Sequence, residues 1–574
     1  MSDRRRRCGR SGGIVPALAL AGAATLAGCS GQLRRFPLAE VIWEDDDRAP
    51  IPKPPESFYS PYIWDGADQA VFRPLAKGFG LYDRQGEAEN VNALDEVPNS
   101  SWYTNRISRR LMTPLEVARG ACDDLNDDIP TPWTITGGKP DGSNPGFFIK
   151  DGEGRRYLLK TDGEMQQERP TGSDVVGASI YHSAGYFAPC NRVVTITREK
   201  LVLDEEAEVK LTSGQREKMT DRHVEQVLEK ATSLGEGRFR ASVSQFIDGR
   251  PISPWLYEGT RKDDPNDVIP HAFRREVRGM YILAAWTDHI DSRQENTLAA
   301  WVKTGPGDAG YVRHYMIDFG DTLGITFIWD SLAQRFGHSG YFDVPHMAQD
   351  YITLGLLDRP WHHARYGEAG KELGYYDGRR FQPDKWRPGY PNPAFQRHTE
   401  HDAAWMTRIL ARFEPEHIAA LAERGRWTKP IIASELTRIL IERRRRILER
   451  YLTKLSPLTW PEIDERGSLC MQDLAVWTGI RAEGSRQYEA RAWGGSKLAS
   501  VEMGAPTVGD RGTVCVDLPA PPPTSEPEYM VVDLRGFTPG KDDPGPARVH
   551  FWIKDGKATL VGLERPSGKG APKS

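Results

Sequence analysis

Asp288-His289-Ile290-Asp291-Ser292-Arg293-Gln294-Glu295-Asn296, followed downstream by Tyr315-Met316-Ile317-Asp318-Phe319-Gly320, is the pair of stretches from which the rest of this 574-residue chain can be read. In the first, Asp291 precedes Asn296 by five positions. In the second, a short apolar run ends on Asp318. Between them lie the apolar residues 297–302 and a turn at Gly305-Pro306-Gly307, the order expected of a β-hairpin whose ends bring Asn296 and Asp318 together. Carboxylate and amide oxygens are hard ligands that suit a divalent ion such as Mg2+. A carboxylate such as Asp291 can orient a hydroxyl and take up its proton. Either pattern alone arises by chance, so the weight lies in their order: helix, Asp-to-Asn loop, hairpin, strand end.

Upstream, short β-type runs alternate with Gly-rich turns at residues 133–136, 146–150 and 156–160. Tyr157-Leu158-Leu159-Lys160 puts a cation at the end of an apolar strand, where it can neutralise nucleotide phosphates; an ordinary strand-end Lys is the plain alternative. Residues 137–145 read as a flexible loop whose backbone N–H groups, with Lys139, could cover phosphates, although it does not spell Gly-x-Gly-x-x-Gly. An acid on the following helix should partner Lys160. Glu168 and Asp174 are the candidates, ahead of Glu164, and Asp174 has the shorter reach. That helix is expected over residues 175–185 with Ser173 as N-cap. Strands at 192–197 and 239–247 flank a charged insertion at 205–229. Ser244-Gln245-Phe246-Ile247 then sits where a linker would offer backbone groups, at Gln245 and Ile247, to an adenine. His289 reads as a further polar site residue or as a loop histidine bonded to backbone.

The character then turns helical, with Phe273, Val277, Met280, Tyr281 and Ala284 at helix spacing within 271–289 and further helices at 405–413, 417–424 and 432–452. The run Arg443-Arg444-Arg445-Arg446 is expected to be a solvated helix face and not a nucleic-acid patch. Strand-like pieces at 512–518, 528–534 and 548–553 follow, with linker at 519–527 and a Gly/Lys-rich tail at 564–574. The pattern predicts an α+β fold: a β-rich lobe over 101–255, a helical lobe over 256–455 and a small β-rich domain over 456–574.

The first 29 residues read as a bacterial lipoprotein leader: Arg4 to Arg7 with Arg10, a short apolar core, then Leu26-Ala27-Gly28-Cys29. Cys29 is the expected lipid acceptor. Ser30 after it points to the outer membrane, so an anchor facing the periplasm in the cell envelope is expected, with an envelope protein or glycan as partner. Residues 30–100 are rich in Pro and charge and are expected to form a tether that lifts the body off the membrane before packing irregularly. No later stretch has the ~20 apolar residues of a spanning helix. Setting aside the first 28 residues, with five Arg and one Asp, moves the net charge from −4 to −8, which argues against broad nucleic-acid binding. Beyond Cys8 and Cys29 remain Cys122, Cys190, Cys470 and Cys515, without the close spacing of a zinc site. They are either the pairs Cys470–Cys515 and Cys122–Cys190 or four free thiols.

On Pro145-Gly146-Phe147, Tyr157 to Lys160, Arg274 to Gly279, Trp286 to Asn296 and His314 to Gly324, residues 130–455 resemble the atypical kinases of the HipA, phosphatidylinositol-kinase-like and spore-coat CotH groups, nearest to bacterial lipoproteins of that fold. The resemblance covers about three-fifths of the chain. It implies a bilobal protein-kinase-like fold with an ATP-binding cleft. There Lys160 would meet phosphates, Asp291 would act as catalytic base, and Asn296 and Asp318 would hold Mg2+. The chain departs from typical protein kinases in having no His-Arg before that Asp, no Ala-Pro-Glu and no glycine triad. Two functions are implied: Mg-dependent phosphoryl or nucleotidyl transfer from ATP to a protein, lipid or sugar hydroxyl, or a silent pseudokinase-type envelope scaffold. A metal-dependent hydrolase is a third reading that lacks a His/Asp ligand cluster.

Overall fold

Phe147, Ile149, Tyr157 and Leu159 are buried and alternate with more exposed neighbours, the period of two that lays one face of a strand on a core. In the computed structural model, which describes residues 34–58, 62–79, 86–139, 144–163, 165–210, 215–326, 329–519 and 526–567, they build the centre of the first sheet. Its strands are β1 (Trp133–Lys139), β2 (Gly146–Lys150), β3 (Arg156–Thr161), β4 (Asn191–Thr197), β5 (Leu201–Lys210), β6 (Arg216–Lys218), β7 (Ser233–Gly235) and β8 (Arg238–Gln245). They are ordered β4-β8-β3-β2-β1-β5-β6, with β7 on β8. Strand β1 runs three residues beyond its expected end, so Gly137 and Gly138, read as loop, are paired with Phe148 and Phe147. The sequence there is Gly because β1 passes β5 closely: a Cβ at Gly138 would lie 2.8 Å from Val209. Helix α1 (Arg169–Ala184) backs the sheet and starts six residues earlier than expected. Pro170 fits the first turn, where no N–H is needed, and Asp162 accepts the Thr171 N–H at 2.9 Å. Ser173 is therefore inside the helix and caps nothing.

The helical part is built around α2 (Arg275–Thr287), every residue of which is buried. Against it pack α3 (Glu400–Leu410) and α5 (Pro430–Ile447), and α4 (Pro415–Glu423) packs on α5. Arg443 and Arg444 correct the expectation of a solvated Arg face, because both are buried. Arg443 donates to the carbonyls of Trp286 (2.9 Å), Ala285 and Asp377, capping the C-terminus of α2. Arg444 caps α3 through Leu410 (3.2 Å) and Ala411 (2.7 Å). Arg445 is exposed and pairs with Glu449. The last carbonyls of a buried helix need donors, and one Arg run supplies them to two helices.

Two further sheets close the molecule over residues 458–564. One joins Leu458–Ile463, Ser468–Asp473, Thr513–Asp517 and Thr507–Val508. The other joins Ala499–Val501, Gln487–Gly494, Glu528–Phe537, Pro546–Lys554 and Lys557–Glu564. The segment read as a tether is packed from residue 34: Phe36 is buried and its N–H donates to the Tyr529 hydroxyl at 2.8 Å. Arg565, assigned to the tail, is fully buried. It bonds the carbonyls of Ser456 (2.7 Å) and Leu458, and with Arg275 and Arg408 it surrounds the carboxylate of Asp95. Burial alone would raise the Asp95 pKa, but these three guanidiniums hold it well below the usual carboxylate range. Cys122–Cys190 and Cys470–Cys515 are disulfide-bonded, which excludes the free-thiol alternative. Among the described residues no helix is long and apolar enough to cross a membrane.

Candidate active site

A hairpin of β10 (Thr297–Lys303) and β11 (Gly310–Met316), edged by β9 (Arg250–Ser253), pairs Thr297 with Met316. One rung further out, the Ile317 N–H donates to the Asn296 carbonyl at 3.1 Å. Asn296 and Asp318 thus leave the open end of the hairpin side by side. Asp318 then takes a left-handed backbone (φ 55°), a conformation costly for a residue with a side chain and frequent where a site demands it. Phe319 turns back inward and is fully buried, its ring centroid 5.0 Å from that of Tyr181 on α1. Position 177 of α1 must be glycine, because a Cβ there would stand 2.7 Å from the Phe319 Cβ. Arg169, at the start of α1, donates to the carbonyls of Gly320 and Thr322 (3.2 Å) and fixes the turn from the other side.

Lys160, at the end of β3, reaches this turn. Its Nζ lies 2.7 Å from Asp318 Oδ1 and 3.9 Å from Asp174 Oδ1. The Lys160 and Asp174 side chains are 7% and 2% exposed, whereas that of Asp318 is 44% exposed. Burial would lower the ammonium pKa, but Asp174 and Asp318 outweigh it and raise it. Asp174 also accepts the Phe319 N–H at 3.1 Å and the Ser242 hydroxyl at 3.4 Å. Asp174 is therefore the helix acid, despite its short reach, because α1 passes directly under the strand end. Glu168 is not. Its carboxylate accepts the Thr428 N–H (2.7 Å) and hydroxyl, tying α1 to the start of α5.

The Asp291 loop begins where α2 stops. Asp288 caps the helix in a left-handed conformation (φ 53°), and its carboxylate accepts the Trp386 indole N–H at 2.7 Å. Asn296 Nδ2 donates to Asp291 Oδ2 (2.9 Å) and to its carbonyl (2.8 Å), which leaves the amide oxygen for a cation. Arg293 Nε stands 2.9 Å from Asp291 Oδ1. Burial pushes the Asp291 pKa up to about 8. Arg293 and Asn296 oppose that rise, and the charges of Asp321 and Asp318 add to it. Asp321 is likewise raised by burial and by Asp318, against Arg169 and Lys160. His289 belongs to neither expected role: its Nδ1 meets the Tyr181 hydroxyl at 3.0 Å, and burial holds its pKa down at about 4.

The residues expected at the site thus separate. Lys160 contacts Asp174 and Asp318, Asn296 contacts Asp291, and the Ile317–Asn296 backbone bond sets the two groups side by side. The N–H groups of Gln245 and Phe246 are committed to the carbonyls of Cys190 and Arg156, each at 2.9 Å, so Gln245 does not offer its N–H to an adenine, and Ile247 is half-buried beside it. The side chain of Lys139, residues 140–143 of the Gly-rich loop and Cys29 lie outside the described residues. The end of that loop does come close, with Asn144 Nδ2 3.9 Å from where a Gly320 Cβ would be. Sequence reasoning missed Arg169 and Asp321. Asp321 follows Asp-Phe-Gly directly and could have been noticed, while Arg169 carries no local signal. Among the described residues no three His, Cys, Asp or Glu side chains cluster as a metal site. One carboxylate and one amide oxygen still fit Mg2+, an ion that keeps waters and takes phosphate oxygens for its remaining positions.

No family model matches the chain, and no curated protein matches it. Solved structures of a kinase are among those similar to the chain. One is the Golgi casein kinase with Mn/ADP bound: 10% identity, TM-score 0.26, 57% of this chain and 76% of that one. Another is the Golgi casein kinase: 11% identity, TM-score 0.23, 68% of this chain and 90% of that one. Likeness at these TM-scores carries no weight for function, which is read from the geometry of the chain itself.

Proposed function

We propose that the first sheet and the helical part are the two lobes of a kinase-like fold whose cleft binds Mg-ATP, in a lipoprotein anchored through Cys29 to the outer membrane of a bacterial envelope. The observation that carries this reading is the Lys160–Asp318 ion pair beside the Asn296–Ile317 bond, which gathers a phosphate-neutralising cation, two hard metal ligands and a buried acid from four separated stretches of sequence. Asp318 and Asn296 would hold Mg2+, whose charge would offset that of the nucleotide phosphates. Lys160, held by Asp174, turns from Asp318 to those phosphates. Asp291 orients the acceptor hydroxyl and takes its proton as the bond from phosphorus to the acceptor oxygen forms and the bond to the departing ADP oxygen breaks. The acceptor is a hydroxyl of an envelope protein, lipid or sugar; transfer of a nucleotidyl group would use the same residues.

The test is a thermal shift on protein lacking residues 1–29. Mg-ATP is expected to raise its Tm, and Asp318→Ala to abolish the rise. No shift with any nucleotide sinks the catalytic reading. A silent binding scaffold keeps one observation in its favour, the direct closure of Lys160 on Asp318. Mass spectrometry separates the two, since an active cleft leaves a phosphate or AMP adduct on the protein or its acceptor and a scaffold leaves none.

A further inference from the structure

Four residues separate Cys29 from Arg34, where the packed body begins, and a chain of that length spans at most about 18 Å. Arg34 lines a cavity of about 800 Å3 together with Glu87, Glu89 and His401, so the body's fixed surface starts at that point. An anchor on Cys29 would hold this surface close to the bilayer rather than away from it.

The helical stretch that leads toward Glu87 has an unusual polarity. Helices Tyr62–Ala67, Asp68–Phe72 and Arg73–Gly78 follow one another. Trp64, Val71, Phe72, Leu75 and Phe79 recur at helical spacing, and all are exposed, Trp64 by 60% and Phe79 by 80%. Polar groups face the body instead: Gln69 is buried, and Arg73, bonded to Asp68 within the segment, reaches Glu258 of the body at 2.6 Å. An ordinary surface helix does the reverse, with its apolar stripe on the core. Tyr390 lies 3.7 Å from where a Gly66 Cβ would be, and its ring centroid is 4.9 Å from that of Tyr341. Just after Tyr341 in the chain, Phe342, Met347, Tyr351, Ile352, Leu354 and Leu356 are exposed, and the helix Val344–Ile352 has no buried residue at all. Exposed apolar surface on this scale marks a partner or a membrane.

We propose that this face lies on the lipid surface of the bilayer, its aromatic and aliphatic side chains entering the headgroup region as those of interfacial helices do. Arg73 shares Glu258 with Arg397, and nearby Thr399 bonds Glu87 at the Arg34 cavity. The 62–79 stretch therefore lies at the end of the body where the short span from Cys29 arrives, which selects the bilayer over another occupant. The inference rests on the anchoring of Cys29 proposed above and is tested without it. The chain from residue 29 onward, carrying Cys29→Ser so that no lipid is attached, is mixed with phosphatidylethanolamine/phosphatidylglycerol vesicles and sedimented. It is expected to bind, and the combined Trp64→Glu, Phe72→Glu, Leu75→Glu variant to lose about ten-fold in bound fraction. Val508→Glu, at an exposed apolar position on a C-terminal sheet, is expected to change nothing. Hydrogen exchange on the protein without these substitutions adds a readout independent of variant folding: amides of 62–79 and 344–352 are expected to slow when vesicles are added. Equal binding by the triple variant, absence of binding, or unchanged exchange overturns the proposal. So does a concentration-dependent dimer that the triple variant abolishes, which would assign the face to a second copy. Lipidation itself is read separately, from the mass of the Cys29 protein purified from membranes, and the cleft from the nucleotide shift.

Discussion

Asp291 carries the sharpest residue-level consequence. Its folded-state pKa of about 8 lies above the ordinary value of 3.8, so the folded protein keeps this proton to higher pH than the unfolded chain. Stability from this group is therefore greatest below about pH 4 and falls as pH rises toward 8. Asp291→Asn removes that dependence. By calorimetry the variant is expected to melt above the parent at pH 8, with the gap closing near pH 4. Under the proposed function its phosphoryl transfer is expected to drop by roughly 10²–10⁴-fold. Asp291, Asn296 and Asp318 were legible in the sequence because hairpin spacing is local information. The choice between Glu168 and Asp174 was not, since it depends on where α1 begins and how closely it passes β3. Arg169 was invisible for the same reason, as its carbonyl acceptors lie some 150 residues away.

Among elements, the meeting of α1 with the Asp318 turn and the ends of α2 and α3 decide whether the cleft holds its shape. Gly177→Ala places a methyl group against Phe319, a crowding expected to cost ~1–3 kcal/mol in urea unfolding and to weaken the Mg-ATP thermal shift. Val508→Ala, far from the turn, should leave that shift as it is. Arg443→Met strips the cap from α2, and lost charge-assisted hydrogen bonds together with orphaned carbonyls predict a loss of ~2–4 kcal/mol. Arg445→Met, on the solvent side of the same helix, is expected to stay within ~0.5 kcal/mol. The helices themselves could be placed from apolar spacing to within about two turns. The Arg run could not be interpreted, because its sequence reads as a polar face and only the crossing of α5 beneath two helix ends turns half of it inward. The strands at 458–463, 468–473 and 487–494 escaped notice because they are short and interrupted by charge, Pro or Gly, and the latter two also depend on partners tens of residues later in sequence.

At the scale of the whole molecule, distant cross-links tie the parts together. The Cys122–Cys190 bridge closes a loop with a sequence separation of 68, and removing it through paired Ser substitutions is expected to cost ~2–5 kcal/mol in denaturant unfolding, an effect that added reductant should reproduce in the parent. The junction at Asp95 has a different kind of consequence. That carboxylate waits for Arg565, which is 470 positions later in the chain. A ribosome delivers the chain from the front, and domains generally fold in that order. Arg275 and Arg408 can meet Asp95 as soon as the helices form, but the third guanidinium arrives only after the last strand, Lys557–Glu564. The order of synthesis thus runs opposite to the order of closure: a charge cluster in the middle of the molecule is completed by a residue made almost at the end.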